Sequence, residues 1–255
     1  MTSALTFLLL LLAGFAGGLA NALAGGGAFV VFPALLFAGV APVVANATAS
    51  LVLLPGGIFA AWVYRHSLVE YSRTTILQLI IICLIGSFAG SLLLLNTGNA
   101  TFSFLVPWLL LTAAVIFTFA PRLRKAAARG SGHRSLAVLL IGEFIISVYG
   151  GYFGAGMGVL MVALFLAAAG MNVHSANGLR TICGTVVNLL AVILFAWKGI
   201  VDFKVGIPML LAGSLAGYFG ARVVRSMNEE AVRLGILIYA WGLTAWFFFR
   251  TFLLA

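Results

Sequence analysis

One arginine has the strongest chemical meaning in this sequence. Arg180 lies about two helical turns into an apolar run from Val173 to Trp197. An ionisable group there costs at least about 2.5 kcal/mol on membrane-insertion scales unless it is paired or hydrated. A planar guanidinium can hold two oxygens of an oxyanion at once. Asn177 and Thr181 flank it, and Asn46, Thr48 and Ser50 occupy a similar stretch nearer the start of the chain. These side chains can donate to the oxygens of a small anion. Two glycine clusters accompany them, Gly25, Gly26 and Gly27 in one place and Gly154, Gly156 and Gly158 in the other. Backbone N–H groups at a broken helix end carry positive potential toward a bound anion. Glu143 is a second charge within an apolar run, a candidate to carry a coupling proton or to pair with Arg180. Each residue also has a plainer role: capping or hydrogen bonding between helices for Asn and Thr, tight packing for glycine, and snorkelling to lipid phosphate for Arg180.

The elements that position these residues follow from composition. Of 255 residues, 64% are hydrophobic and 7% are charged, far from the soluble average. No Asp, Glu, Lys or Arg precedes Arg65, and none lies between Arg73 and Arg122. Each of these runs is longer than the roughly 20 residues that one crossing needs. The chain therefore reads as an all-α integral membrane protein. Apolar runs that are continuous, without alternation, exclude an outer-membrane barrel. The formal charge of +9 sits at the ends of apolar spans, so it sets orientation and does not mark a nucleic-acid surface. The N-terminal apolar segment lacks a positive leading region and is kept as part of the mature protein. Cys83 and Cys183 lie in apolar segments without metal-ligand spacing and read as reduced core residues.

The sequence is also doubled. A shift of 131 positions lays Gly25 on Gly156, Gly27 on Gly158, Gly39 on Gly170, Asn46 on Asn177 and Ser50 on Thr181. Later helices match at an offset of 127, LIGSFAG from Leu84 against LAGSLAG from Leu211. The expected plan is a first repeat over 1–120, a basic cytoplasmic linker over 121–135 and a second repeat over 136–255. Each repeat holds a glycine-broken, re-entrant hairpin and three transmembrane helices. In the first, a helix from Ala4 to Ala24 is followed by a short arm from Ala28 to Ala38. Helices then run from Val43 to Tyr64, Thr74 to Leu95 and Phe102 to Ala120. The second has Leu136 to Tyr149, a break through Gly150 to Gly158, an arm to Ala169, and helices at Val173–Trp197, Val205–Val223 and Ala231–Leu254. Short second arms favour inverted repeats, although the basic residues count the same for inverted and parallel arrangements.

The doubled glycine pattern, with Pro33, Gly39, Pro42 and Ala45-Asn46-Ala47-Thr48, and with Gly154-Ala155-Gly156-Met157-Gly158 and Asn177-Gly178-Leu179-Arg180 in the second copy, resembles the sulfite exporter TauE/SafE family. The resemblance covers essentially the whole chain. It implies a transporter of the bacterial inner membrane, linked to export of sulfite or small organosulfonates. The glycine run is shorter than in many members.

The expected function is thus secondary transport of a small anion by alternating access, with no cofactor and the lipid bilayer as surroundings. The substrate-binding candidates are Gly25, Gly26, Gly27, Asn46, Thr48, Gly154, Gly156, Gly158, Asn177, Arg180 and Thr181. An anion channel built from two re-entrant hairpins is the alternative. An enzyme has little support, since no HExxH, Walker A or serine-elbow pattern occurs.

Overall fold

A computed structural model of the chain describes residues 4–24, 26–64, 72–129, 135–223 and 229–253. They form ten helices: α1 (Ala4–Ala24), α2 (Ala28–Phe37), α3 (Pro42–Tyr64), α4 (Arg73–Leu95), α5 (Asn99–Arg129), α6 (Leu136–Tyr152), α7 (Met157–Ala169), α8 (Val173–Trp197), α9 (Phe203–Val223) and α10 (Glu229–Leu253). No strand occurs among the described residues. Six helices, α1, α3, α4, α5, α8 and α10, are long and apolar enough to cross a membrane. Leu8, Ile81, Ile141 and Ile145 are exposed on the outside of the bundle, as contact with lipid requires and water would penalise. Trp197 is 79% exposed, with the Lys198 ammonium 5.2 Å from its ring centre, an arrangement suited to a membrane interface.

The two short arms have the expected lengths. At 10 and 13 residues, α2 and α7 span about 15 and 20 Å, against a hydrocarbon core of about 30 Å. Both double back on the preceding helix. A Cβ at Gly142 in α6 would lie 2.7 Å from Leu164 in α7, while Gly150 faces Met157 nearer the turn, so α6 and α7 run antiparallel. At the other hairpin, Gly27 opens α2 beside Gly17 and Asn21 of α1. Phe29, Val31, Phe32 and Leu35 are buried almost completely, so α2 is held inside protein even though it is too short to span.

Three boundaries differ from expectation. α5 continues through Pro121 to Arg129, so most of the expected linker is helix. Ala, Lys and Arg after Pro121 are strong helix formers, and proline there costs one backbone hydrogen bond without ending the helix. Residues 130–134 lie outside the described residues, as do residues 65–71 of the basic loop expected from Arg65 to Arg73. Gly150 and Gly151 lie inside α6, where a Cβ at Gly151 would sit 2.5 Å from the Ser87 carbonyl oxygen. The break is therefore confined to Phe153–Gly156, and Gly158 falls in the first turn of α7.

The helices pack in a pattern that the sequence offset exchanges. α4 lies on α6 and α1 on α9; α8 touches α4 and α3 touches α9; α3 meets α8 and α5 meets α10. Small residues bring these backbones close. A Cβ at Gly86 would be 2.8 Å from the Phe144 carbonyl oxygen, and one at Gly14 would be 2.6 Å from that of Met209. Hydroxyls add bonds between helices, such as Ser87 Oγ donating to the Val187 carbonyl at 2.7 Å. Helix starts are capped across the chain as well as locally. Asn99 Oδ1 accepts from Val43 N at the start of α3 (3.2 Å), while Asn172 Oδ1 accepts from Ser175 N at the start of α8 (2.8 Å).

Candidate functional site

The second break is built by two glycines at φ +80°, Gly154 and Gly156, a region that other residues enter at a cost. The turn they make is well bonded. Phe153 N and Gly154 N both donate to the Tyr149 carbonyl, and Met157 N donates to that of Gly154. The Tyr149 hydroxyl donates to the Ala155 carbonyl at 2.6 Å. Within the first turn of α7 itself, Met157 N and Val159 N are engaged by the Gly154 and Gly156 carbonyls, so Gly158 lies between two bonded N–H groups at the positive end of the helix.

Arg180 is brought to that same end of α7. A Cβ at Gly158 would stand 2.7 Å from Arg180 Nη1 and 3.0 Å from its Cδ, so the guanidinium lies in the space that this glycine leaves and any larger residue would displace it. The Gly158 and Arg180 candidates are therefore neighbours, and the side chain is partly buried. A cation and a helix N-terminus add their positive potentials at one place.

The remaining candidates divide. Asn46 is buried and reaches across to this region, its Nδ2 donating to the Tyr152 carbonyl at 3.0 Å, where α6 ends. Thr48 is fully buried, with its Oγ1 accepting from Asp202 N at 3.0 Å, which ties α3 to the start of α9. Asn177 Nδ2 donates to the Val173 carbonyl and Thr181 Oγ1 to that of Asn177, both within α8. Ser50 Oγ makes the same bond to Asn46 as Thr181 makes to Asn177. These bonds are structural, of the kind expected for polar groups between membrane helices. Gly26 and Gly27 are buried, while Gly25 lies outside the described residues. A Cβ at Gly26 would be 3.4 Å from Phe117, and one at Gly156 would be 3.5 Å from Ile116. Both breaks thus approach the same turn of α5. Phe32 of α2 also meets Phe153 of the second break edge to face, with ring centres 5.5 Å apart.

Two features were missed from sequence. Asn188 Nδ2 donates to the Ser50 carbonyl at 3.1 Å, linking α8 to α3 in a way no spacing announces. Cys83 and Cys183, read as unrelated core thiols, come together with Glu143, where Cys83 Sγ donates to Glu143 Oε1 at 3.1 Å. The three belong to different helices, so no local motif could have signalled their meeting.

Comparison with known proteins agrees with this architecture. The profile of a family described as Sulfite exporter TauE/SafE matches residues 10–246. A "Probable membrane transporter protein" of Haemophilus influenzae is 29% identical, over 91% of this chain and 90% of its own length. The "Probable membrane transporter protein YfcA" of Escherichia coli K12 is 28% identical, over 91% of this chain and 84% of its own. A Sinorhizobium protein named "Probable membrane transporter protein ORF9" is 26% identical, over 88% of this chain and 85% of its own. No solved structure matches the chain significantly.

Proposed function

The chain belongs to the sulfite exporter TauE/SafE family, a family of membrane transporters, and from that premise we propose that it carries a small sulfur oxyanion or organosulfonate across the bacterial inner membrane. The observation that carries this reading is the Arg180 guanidinium lying over Gly158 at the start of α7. A tetrahedral or pyramidal oxyanion would take two oxygens to the guanidinium and sit in the positive potential of the start of α7 beside Gly158. Gly154 and Gly156 shape the turn, and Asn46 holds its carbonyl side from α3. Asn177 and Thr181 support α8 around Arg180. Thr48 supports the opposite half of the site through α9, and Gly26 and Gly27 supply its other wall.

Alternating access follows from two inverted repeats that rock about the shared breaks. Support comes from the antiparallel return of α7 on α6 and from helix contacts that the sequence offset exchanges. Five alternating elements per half reverse the second half relative to the first, and the basic linker then lies in the cytoplasm. With the interior negative, outward passage of a monoanion gains about 2.3 kcal/mol per 100 mV, enough to drive export without a second ion. Glu143 is left out of this scheme, its carboxylate accepting from the Cys83 thiol.

Reconstituted protein loaded with labelled sulfite is expected to show saturable efflux driven by an imposed potential and accelerated by unlabelled sulfite outside. Absence of flux for sulfite and for a panel of sulfonates, from protein shown to be folded, would reject the proposal. Ohmic single-channel currents without counterflow would replace it with a channel.

A further inference from the structure

The meeting of Cys83, Glu143 and Cys183 is a second constellation, and neither the fold nor the anion site needs it. Cys83 comes from α4, Glu143 from α6 and Cys183 from α8, and all three side chains are fully buried. Their sulfur and carboxylate atoms lie within 4.8 Å of one another. The surroundings are apolar, formed by Leu79, Leu139, Met161 and Val187. Two oxygens in this setting, Glu143 Oε2 and Ser147 Oγ one turn along α6, have no partner beyond each other among the described residues, the serine hydroxyl being within reach of the carboxylate. A carboxylate offers about four acceptor sites, and one thiol and one hydroxyl leave part of that capacity unused beside two sulfurs, which is room for a further partner.

Packing alone does not call for these residues. The offsets that relate the two halves put Leu12, Val52 and Leu210 at the positions of Glu143, Cys183 and Cys83. Leu12 is 57% exposed where Glu143 is fully buried, and the side chains that α1, α3 and α9 bury include the apolar Leu10, Val52 and Met209.

We infer that Cys83, Glu143 and Cys183 form a binding site for a thiophilic divalent metal ion of the Zn2+ class. Two soft sulfurs with one hard carboxylate are a donor set that Zn2+ accepts, and Ca2+ or Mg2+, which take oxygen ligands, do not fit it. Zn–S bonds of about 2.3 Å and Zn–O bonds of about 2.1 Å put tetrahedral donors about 3.4 to 3.8 Å apart. Cys83 Sγ and Glu143 Oε1 are already at 3.1 Å, so the trio closes on a metal with small side-chain movements. The second carboxylate oxygen or the Ser147 hydroxyl completes the fourth position. Binding releases the two thiol protons to solvent, since sulfur ligates as thiolate. The ion would pin α4, α6 and α8 together one turn of α8 away from Arg180.

The test uses the full chain in detergent micelles. Purified protein is exposed to Zn2+ under reducing conditions, passed through a desalting column and assayed for zinc by elemental mass spectrometry. One zinc per chain is expected, with two sulfur neighbours in the zinc-edge X-ray absorption spectrum of the unaltered protein. Replacing Zn2+ by Co2+ should give the near-ultraviolet thiolate charge-transfer band. Cys83→Ser and Cys183→Ser should each weaken that band, and Glu143→Gln should lower Co2+ affinity by about 100-fold or more, since even outer-sphere partners are worth 10- to 100-fold. No retained metal, a zinc shell without sulfur, or a band that survives both cysteine changes would overturn the inference. So would a Cys83–Cys183 disulfide found by mass spectrometry in protein never exposed to oxidant. The absorption spectrum needs no variant, so misfolding of a mutant leaves the question decidable.

Discussion

Two triplets of helices occupy equivalent places in this molecule and are filled by different chemistry. α4, α6 and α8 pack through Gly86, Gly90 and Gly151 and enclose Cys83, Glu143 and Cys183. α9, α1 and α3 pack through Gly213, Gly14 and Gly18 and bury apolar side chains such as Met209, Leu10 and Val52. Backbone approach is common to both, so it belongs to the architecture. A buried carboxylate beside two thiols occurs in the first triplet, and the arginine within α8 has no counterpart in α3, where the offset puts Ala49. Under the proposed anion site, the second half would carry most of the charge recognition and the first its frame.

The largest test of that asymmetry is Arg180→Ala. If Arg180 holds the anion, its removal should weaken sulfite binding by about 2–5 kcal/mol, the range for truncating a buried charged partner, which means loss of measurable transport. Unchanged affinity in folded protein would take Arg180 out of the site. Placing the charge in the other half, Ala49→Arg with Arg180→Ala, should not restore binding, because Ala49 is buried with 4% exposure and lacks the opening that Gly158 provides.

A smaller effect tests what the triplets share. Gly86→Leu and Gly213→Leu each push a side chain into a neighbouring backbone, and each should destabilise the protein by about 1–3 kcal/mol. Gly235→Leu has open space and should stay within about 0.5 kcal/mol of the parent. Thermal unfolding in detergent followed by tryptophan fluorescence gives all three. A large loss for Gly86→Leu with none for Gly213→Leu would mean that the two interfaces are not equivalent after all.

Sequence reasoning reached the features set by length and local pattern. Helix lengths, the short α2 and α7 and the all-helical membrane class are all consequences of apolar run length. It failed where tertiary packing decides. Gly150 and Gly151 look like a break in sequence yet serve as contact surface inside α6, because Met157 and Ser87 fill the space above them. Pro121 and the arginines after it look like a linker, yet Ala and Lys continue the helix. The thiol–carboxylate cluster was illegible because three crossing helices assemble it from positions 83, 143 and 183.

Asn46 and Asn177 sharpen the comparison at a lower energy. The first donates to the Tyr152 carbonyl across the molecule in a buried setting; the second donates one turn back along its own helix in an exposed one. Asn46→Ala leaves a buried acceptor unsatisfied and should cost about 1–3 kcal/mol. Asn177→Ala should change stability by less than about 0.5 kcal/mol, since its carbonyl partner keeps a helical bond. Equal losses for the two would show that Asn177 has a partner role that its local bond does not express.

The narrowest expected range concerns the pair of glycines that close the short arms. Gly39 at φ +84° and Gly170 at φ +62° end α2 and α7 in the left-handed region. Gly39 N donates to the Leu36 carbonyl and Val40 N to that of Leu35, the paired bonds of a glycine helix stop. A Cβ at Gly39 would meet nothing within 4 Å, so Gly39→Ala is penalised by backbone conformation alone, at about 1–2 kcal/mol. Gly39→Asn should recover part of that loss, because asparagine tolerates this conformation through its short polar side chain. Since both halves use a left-handed stop, Gly170→Ala should cost a similar amount, and calorimetric unfolding of the two alanine variants would check it. If Gly39→Ala is neutral while Gly170→Ala is costly, the first arm must be able to relax its end, and the two hairpins differ in rigidity as well as in charge.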